Sequence, residues 1–192
     1  MNPRANDLAL PVRITPTDGL TQSDLRSLRR LFDAAWPAGR FDEHDFEHAL
    51  GGWHWLIELD DRIVSHASVV PRTLWLDGRA LRTGYLEAVA TLPALENRGL
   101  ASSVMRGAGD HIRASYELGA LSTGRHAFYE RLGWQIWRGR TFVRSPGTSP
   151  APNDVVPTPA DDGSVLVLAT PASPPLDLDG SLACDWREGD VW

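Results

Sequence analysis

Residues 84–101, GYLEAVATLPALENRGLA, constrain this chain more than any other stretch. An apolar run carrying one acid, Glu87, reads as a strand, and Pro93 breaks it. An Arg98-Gly99 pair follows, and then Leu100, Val104, Ala108, Ile112 and Tyr116 recur every fourth position, which predicts an amphipathic helix. A strand feeding a glycine-bearing loop and a helix amino terminus gathers unpaired amides and the positive end of a helix dipole, so it suits an anion. On this reading a cofactor's phosphates sit at the loop and its reactive end lies beside Glu87.

The flanking segments supply a sheet for that strand. Val12–Thr15 reads as a first strand, and Asp18 and Thr21 are cap candidates for a helix over Ser23–Ala35, where Leu25, Leu28, Leu31, Phe32 and Ala35 share a face. Pro37 and Gly39 stop it, and a short helix over about Glu43–Leu50 ends at Gly51-Gly52. Two hairpins follow, Trp53–Leu59 with Ile63–Val70 across Asp60-Asp61, and Leu74–Leu76 with Leu81 onward across Asp77-Gly78. Past the central helix come a strand at Ala120–Ser122, a helix over about Arg125–Leu132, and strand signals at Trp134–Trp137 and Arg140–Val143. Ser145–Ala160, with five prolines, reads as loop; Val165–Ala169 and Leu182–Trp186 read as strands. With Ile63–Leu76 and Trp134–Val143 each counted as one interrupted strand, the order through Val143 is β-α-α-β-β-β-α-β-α-β. That predicts an α/β (α+β) fold, a mixed and mostly antiparallel sheet with helices on both faces.

Charge and composition narrow the function classes. All 19 basic residues are arginine, so a lysine Schiff base, a pyridoxal-phosphate lysine and a P-loop lysine are all excluded. Residues 1–150 hold 18 arginines against 17 acids, whereas residues 151–192 hold eight acids against Arg187 alone. A balanced body with an acidic tail disfavours nucleic acid, whose partners are basic, and suits a cationic ligand or simply a solvated tail. Cys184 is the one cysteine and no run reaches the ~20 apolar residues of a membrane span. The opening MNPRANDLALPVRI is too weakly apolar for a secretory signal, so the expectation is a cytoplasmic protein with no membrane partner.

The element order resembles the GNAT acyltransferase superfamily. Its pyrophosphate motif, Arg or Gln, two residues, Gly, one residue, then Gly or Ala, matches Glu96-Asn97-Arg98-Gly99-Leu100-Ala101 except at Glu96. More specific are Gly84-Tyr85-Leu86-Glu87, Leu118–Ser122, Tyr129–Trp134, Asp161-Asp162-Gly163 and above all Cys184–Trp192, which resemble the aminoglycoside 2'-N-acetyltransferases over nearly the whole chain. The resemblance implies a single acetyltransferase domain over residues 1–192, in which residues 145–192 form a loop-rich acidic extension contributing to the acceptor site. It further implies acetyl-CoA as co-substrate, no metal, a homodimer, and acetylation of the 2'-amine of aminoglycoside antibiotics by direct attack in a ternary complex.

Acyl transfer from a thioester to an amine needs a neutral amine, a polarised carbonyl and a proton for the leaving thiolate. Glu87 is the candidate base, acting through water, or an anchor for the cationic acceptor. By the resemblance, Tyr129 is the candidate acid. The backbone of Val89, Ala90 and Thr91 would pair with the pantetheine arm. The Glu96–Ala101 loop (Glu96, Asn97, Arg98, Gly99, Leu100 and Ala101) would take the pyrophosphate. The acceptor would draw on Asp45, Glu87, the Ala88 backbone, Ser122, Asp161, Asp190 and the terminal carboxylate of Trp192. One departure concerns the acid the family places shortly before Asp45: Arg40 stands there, with Asp42 or Glu43 as substitutes or a shifted drug range as the outcome.

Other features read as structural. Cys184 lacks an evident histidine partner and is expected to pack rather than react. His44 and His48 have helical zinc spacing but no third ligand. Ser122 with His126 lacks an ordering acid. Trp53, Trp55 and Trp134 are expected in the strand core, and Trp36 is undecided. Two other functions stay open: the same chemistry on another polyamine or amino sugar, and a non-catalytic acyl-CoA- or drug-binding module.

Overall fold

The computed structural model describes residues 10–145 and 155–192. Among these, ten strands and four α-helices follow one another (β1 Val12–Pro16, α1 Gln22–Ala35, α2 Glu43–His48, β2 Trp53–Leu59, β3 Arg62–Leu76, β4 Arg79–Thr91, α3 Leu100–Ser115, β5 Leu118–Ser122, α4 His126–Glu130, β6 Gln135–Ile136, β7 Thr141–Arg144, β8 Val155–Pro157, β9 Val165–Ala169 and β10 Leu182–Asp185). None of the helices is long and apolar enough to cross a membrane. The strands form a mixed sheet ordered β6-β9-β5-β4-β3-β10-β7-β8, with β1 and β2 branching from β3. Only β4–β5 and β7–β10 are parallel among the registered pairs, so the sheet is mostly antiparallel as expected.

Local chemistry explains most of the boundaries. Thr21 accepts from the Asp24 amide while Asp24 accepts from the Thr21 amide, a reciprocal cap that starts α1 and is worth about 1 kcal/mol. Asp60 and Asp61 both adopt positive φ, 50° and 57°, the turn whose twist matches an antiparallel hairpin.

Three expectations need correction. The segment Trp134–Val143 is two strands rather than one interrupted strand: β6 pairs with β9 at one end of the strand path and β7 pairs with β10 near the other. Within the expected loop Ser145–Ala160, Val155–Pro157 pairs with β7, because the edge strand accepts a proline where no ladder donor is required; residues 146–154 lie outside the described residues. Trp53 is 42% exposed, as the first residue of β2, whereas Trp55 and Trp134 are buried.

Contacts group the described residues into two units. The first comprises those up to Val70 together with Leu86–Asp110, and the second Pro71–Tyr85 together with those from His111 onward. In the first, Leu28, Leu31 and Phe32 of α1 and Phe46 of α2 pack with Leu56, Ile63 and Ala90, and Trp36 stacks on Phe41 with ring centres 4.6 Å apart. α3 approaches β2 closely at Gly107, where a Cβ would come within 2.6 Å of the Trp55 ring. In the second, Val165–Leu168 of β9 and Leu118–Leu121 of β5 are buried with Trp134 and Trp137, and Ser122 is half-buried.

Candidate active site

In the first unit β4 changes character at the residue after Glu87. Ala88 takes φ +47°, the left-handed region that costs a residue with a Cβ roughly 1–2 kcal/mol. Around it, β3 side chains serve the β4 carbonyls. Ser68 Oγ donates to Glu87 O (3.3 Å), His66 Nδ1 to Ala88 O (2.7 Å) and Ser65 Oγ to Ala90 O (3.2 Å). Glu87, Ala88 and Val89 are half-buried around this left-handed residue.

After Thr91 the chain turns through Pro93–Leu95 into the loop expected to take phosphates. Asn97 (φ 61°) and Gly99 (φ 81°) are both left-handed, and Ser103 N donates to Gly99 O, so α3 begins directly at Leu100. The first-turn amides of Leu100 and Ala101 therefore precede the first helical hydrogen-bond donor, beside an exposed Arg98. Such an arrangement fits a pyrophosphate. Glu96 and Asn97 are exposed on the same loop.

Asp45 stands at the third position of α2, where its carboxylate accepts from the Asp42 amide (2.9 Å) while Asp42 accepts from the Asp45 amide (3.1 Å). It is thus a cap as well as a candidate ligand. The two acids considered as substitutes at the Arg40 position also have structural work: Asp42 caps α2, and Glu43 is bound by both Arg29 Nη atoms at 2.6 Å. Arg40 itself is exposed.

The second unit gathers four of the expected acceptor residues. Ser122 pairs with Val165; Thr123 N donates to Ser164 O, and Ser164 N to Asp161 O. Asp161 N in turn donates to Thr158 O, and Trp192 Nε1 donates to Thr158 Oγ1 at 3.0 Å. Burial, and then the charge of Asp190, push the Asp161 carboxyl above its ordinary 3.8. Trp192 is 6% exposed, and its anchor continues as Thr158 Oγ1–H to Thr141 Oγ1 (2.9 Å), with Thr141 also reaching Asp162. Asp162 is held below 3.8 chiefly by the Thr141 backbone N–H.

Tyr129 sits on α4, buried, with its ring edge-on to Phe128 and Trp134. Burial raises its pKa above 10, so it is a phenol at neutral pH and can donate a proton. Cys184 is buried too; burial pushes its thiol up to about 11 and its Sγ donates to Val191 O, so it is an inert packing group.

Comparison with known proteins now decides the family. Residues 17–137 match the family model of the acetyltransferase (GNAT) domain. An aminoglycoside 2'-N-acetyltransferase from Mycolicibacterium fortuitum is 40% identical over 184 residues, 94% of this chain and 91% of that protein. The chain belongs to the aminoglycoside 2'-N-acetyltransferase family of GNAT enzymes. The fold agrees: the YhbS acetyltransferase from Escherichia coli, solved with CoA, matches with TM-score 0.62 at 14% identity over 96% of this chain and 94% of that one. A GNAT acetyltransferase from Brucella melitensis, solved with acetyl-CoA, matches with TM-score 0.58 at 16% identity over 93% and 97%.

Several residues that support the candidate site of this acetyltransferase were not singled out by the sequence. His54, His66, Ser65 and Ser68 lie in strands read only as hydrophobic, and each is fully buried. The sequence signal was there: four polar residues inside the two apolar runs of one hairpin are costly to bury unless hydrogen-bonded. Thr141 and Thr158 carried no such signal. Arg72 was missed as well; its Nη2 donates to Asp185 O (3.1 Å) and Val191 O (2.8 Å), tying β3 to the segment that ends in Trp192.

Proposed function

We propose that this acetyltransferase moves the acetyl group of acetyl-CoA onto the 2'-amine of aminoglycosides by direct attack in a ternary complex. The observation that carries the acceptor is the convergence of Ser122, Asp161, Asp190 and Trp192 in the second unit. Burial, and then the charge of Asp190, disfavour the ionised Asp161 carboxyl, and a bound ammonium, of which an aminoglycoside brings several, offsets both. Glu87 takes up the proton the amine loses, and Tyr129 returns one to the thiolate. The Val89–Thr91 backbone pairs with the pantetheine arm, while the Arg98–Ala101 amides bind the pyrophosphate. On this reading residues 1–192 form one acetyltransferase domain to which residues 145–192 bring acceptor ligands.

The experiment is free-thiol release from acetyl-CoA with paired acceptors. Turnover with 2'-amino aminoglycosides and none with 2'-hydroxyl analogues is expected; turnover on neither sinks the reading. With Arg40 in the family's acid position and Asp42 and Glu43 engaged elsewhere, the drug range or affinity is expected to differ from the family's, and equal efficiency across typical substrates would count against this. We also read the protein as a cytoplasmic homodimer, a state that light scattering would measure.

Asp161→Asn is expected to raise the acceptor KM by about tenfold, in line with a lost charged hydrogen bond, with the acetyl-CoA KM unchanged. The pH dependence has a definite sign. A cation favours the ionised carboxyl, so the acceptor KM rises as pH falls through the range where Asp161 protonates, above 3.8. In Asp161→Asn that rise disappears.

A further inference from the structure

The left-handed Ala88 persists because something holds it, and the holder is a directed chain of hydrogen bonds confined to the first unit. Thr17 Oγ1 lies 2.8 Å from His54 Nε2, His54 Nδ1 lies 3.0 Å from His66 Nε2, and His66 Nδ1 lies 2.7 Å from Ala88 O. The polarity of the chain follows from its end. A carbonyl can only accept, so His66 Nδ1 carries the proton. Because neutral imidazole has one N–H, His66 Nε2 must then accept, and His54 Nδ1–H donates to it. By the same rule His54 Nε2 accepts from the Thr17 hydroxyl, whose oxygen receives the Gly51 and Gly52 amides at 2.8 and 3.1 Å. Each ring nitrogen thus has one role, while the Thr17 hydroxyl, nearer His54 Nε2, also lies 3.2 Å from Gly52 O.

This arrangement does not conduct protons. It terminates on an amide carbonyl, which has no proton to give and takes none at neutral pH. What it can do is fix geometry, since both imidazoles are fully buried and His66 is also packed edge-on to Phe32 at 5.2 Å. We propose that His66, oriented by His54 and Thr17, is a positioning residue for acyl transfer: its Nδ1–H holds the Ala88 carbonyl and so fixes the left-handed backbone that Glu87 and Val89–Thr91 flank. This rests on the function proposed above. Ser65 and Ser68 hold the neighbouring carbonyls, but only the Ala88 bond is made at the strained residue itself.

The test has two arms. In the first, 15N-labelled wild-type protein is examined by long-range imidazole NMR. Both His54 and His66 are expected as the Nδ1–H tautomer, the less common one in free histidine; an Nε2–H tautomer at His66 overturns the proposal. In the second, steady-state kinetics compare His66→Phe, which keeps the ring's bulk and loses the donor, with His66→Asn, whose amide nitrogen can take the place of Nδ1. Where wild-type enzyme turns over 2'-amino acceptors, His66→Phe is expected to lose about 10- to 100-fold in kcat with little change in the acetyl-CoA KM. His66→Asn should recover most of it. A folded His66→Phe with wild-type kcat, or a folded His66→Asn as slow as His66→Phe, overturns the proposal. If His66→Phe fails to fold, the tautomer and the His66→Asn rate decide alone. Absence of turnover in the wild type fails the proposed function instead, and leaves the tautomer readout standing.

Discussion

Glu87→Gln is expected to lower kcat by about 10²-fold or more, the usual worth of a positioned base. An aminoglycoside amine is largely protonated at neutral pH and must lose that proton to attack. Glutamine keeps the size of Glu87 beside the left-handed Ala88 and removes its capacity to accept the proton. Two roles for the carboxylate separate cleanly here: a base shows in kcat, an anchor in the acceptor KM. Tyr129→Phe removes one oxygen from a ring whose packing on Phe128 and Trp134 is otherwise preserved, so a loss of about tenfold or more in kcat with an unshifted melting temperature is expected. Since burial holds the Tyr129 phenol above pKa 10, the rate should show no alkaline decline from Tyr129 below that pH. Unchanged rates in both variants would leave only the holding together of the two substrates as the source of catalysis.

The second large effect concerns stability in acid. Burial pushes the His54 pKa down to about 4 and His66, with the added influence of His54, down to about 3, against an ordinary 6.5. Both are neutral when folded, whereas the unfolded chain protonates them from about 6.5 downward. The folded form therefore binds fewer protons, and stability is full above pH 6.5 and falls as pH drops from 6.5 toward 4 and 3. Each histidine contributes up to about 1.4 kcal/mol per pH unit across its window. Urea unfolding at pH 8, 7, 6 and 5 should give a plateau followed by a decline, and His66→Asn should make the decline shallower. A flat profile from pH 7 to 5 would show that the pair is not held neutral. The depressed Asp162 adds its own loss below 3.8, under the pH 8 to 5 range of these unfolding measurements.

Much of this architecture was readable residue by residue. The Thr21–Asp24 cap, the Asp60-Asp61 turn and the four-residue period of α3 are each decided by neighbours within a few positions, and each appears where its chemistry puts it. The reading went wrong where the outcome depends on distant partners. Trp134–Val143 looks like one strand because each half has strand character, yet β6 finds β9 and β7 finds β10. Val155–Pro157 became a strand only because β7 offered it an edge. Trp53 and Trp55 share a strand and a residue type, and differ only in what lies over them.

The site divides along the same line. The sequence alone determined the strand, loop and helix from Gly84 onward, the exclusion of lysine chemistry, and, through the Cys184–Trp192 motif, the resemblance that pointed to the family. Those features are local composition and order, which no partner can change. Only the tertiary structure decided that Ala88 is left-handed, that two buried histidines brace it from β2 and β3, and that Thr158 and Thr141 anchor Trp192. A buried polar group must find its hydrogen bond wherever the fold brings one, and for His66 that place lies 22 residues along the chain.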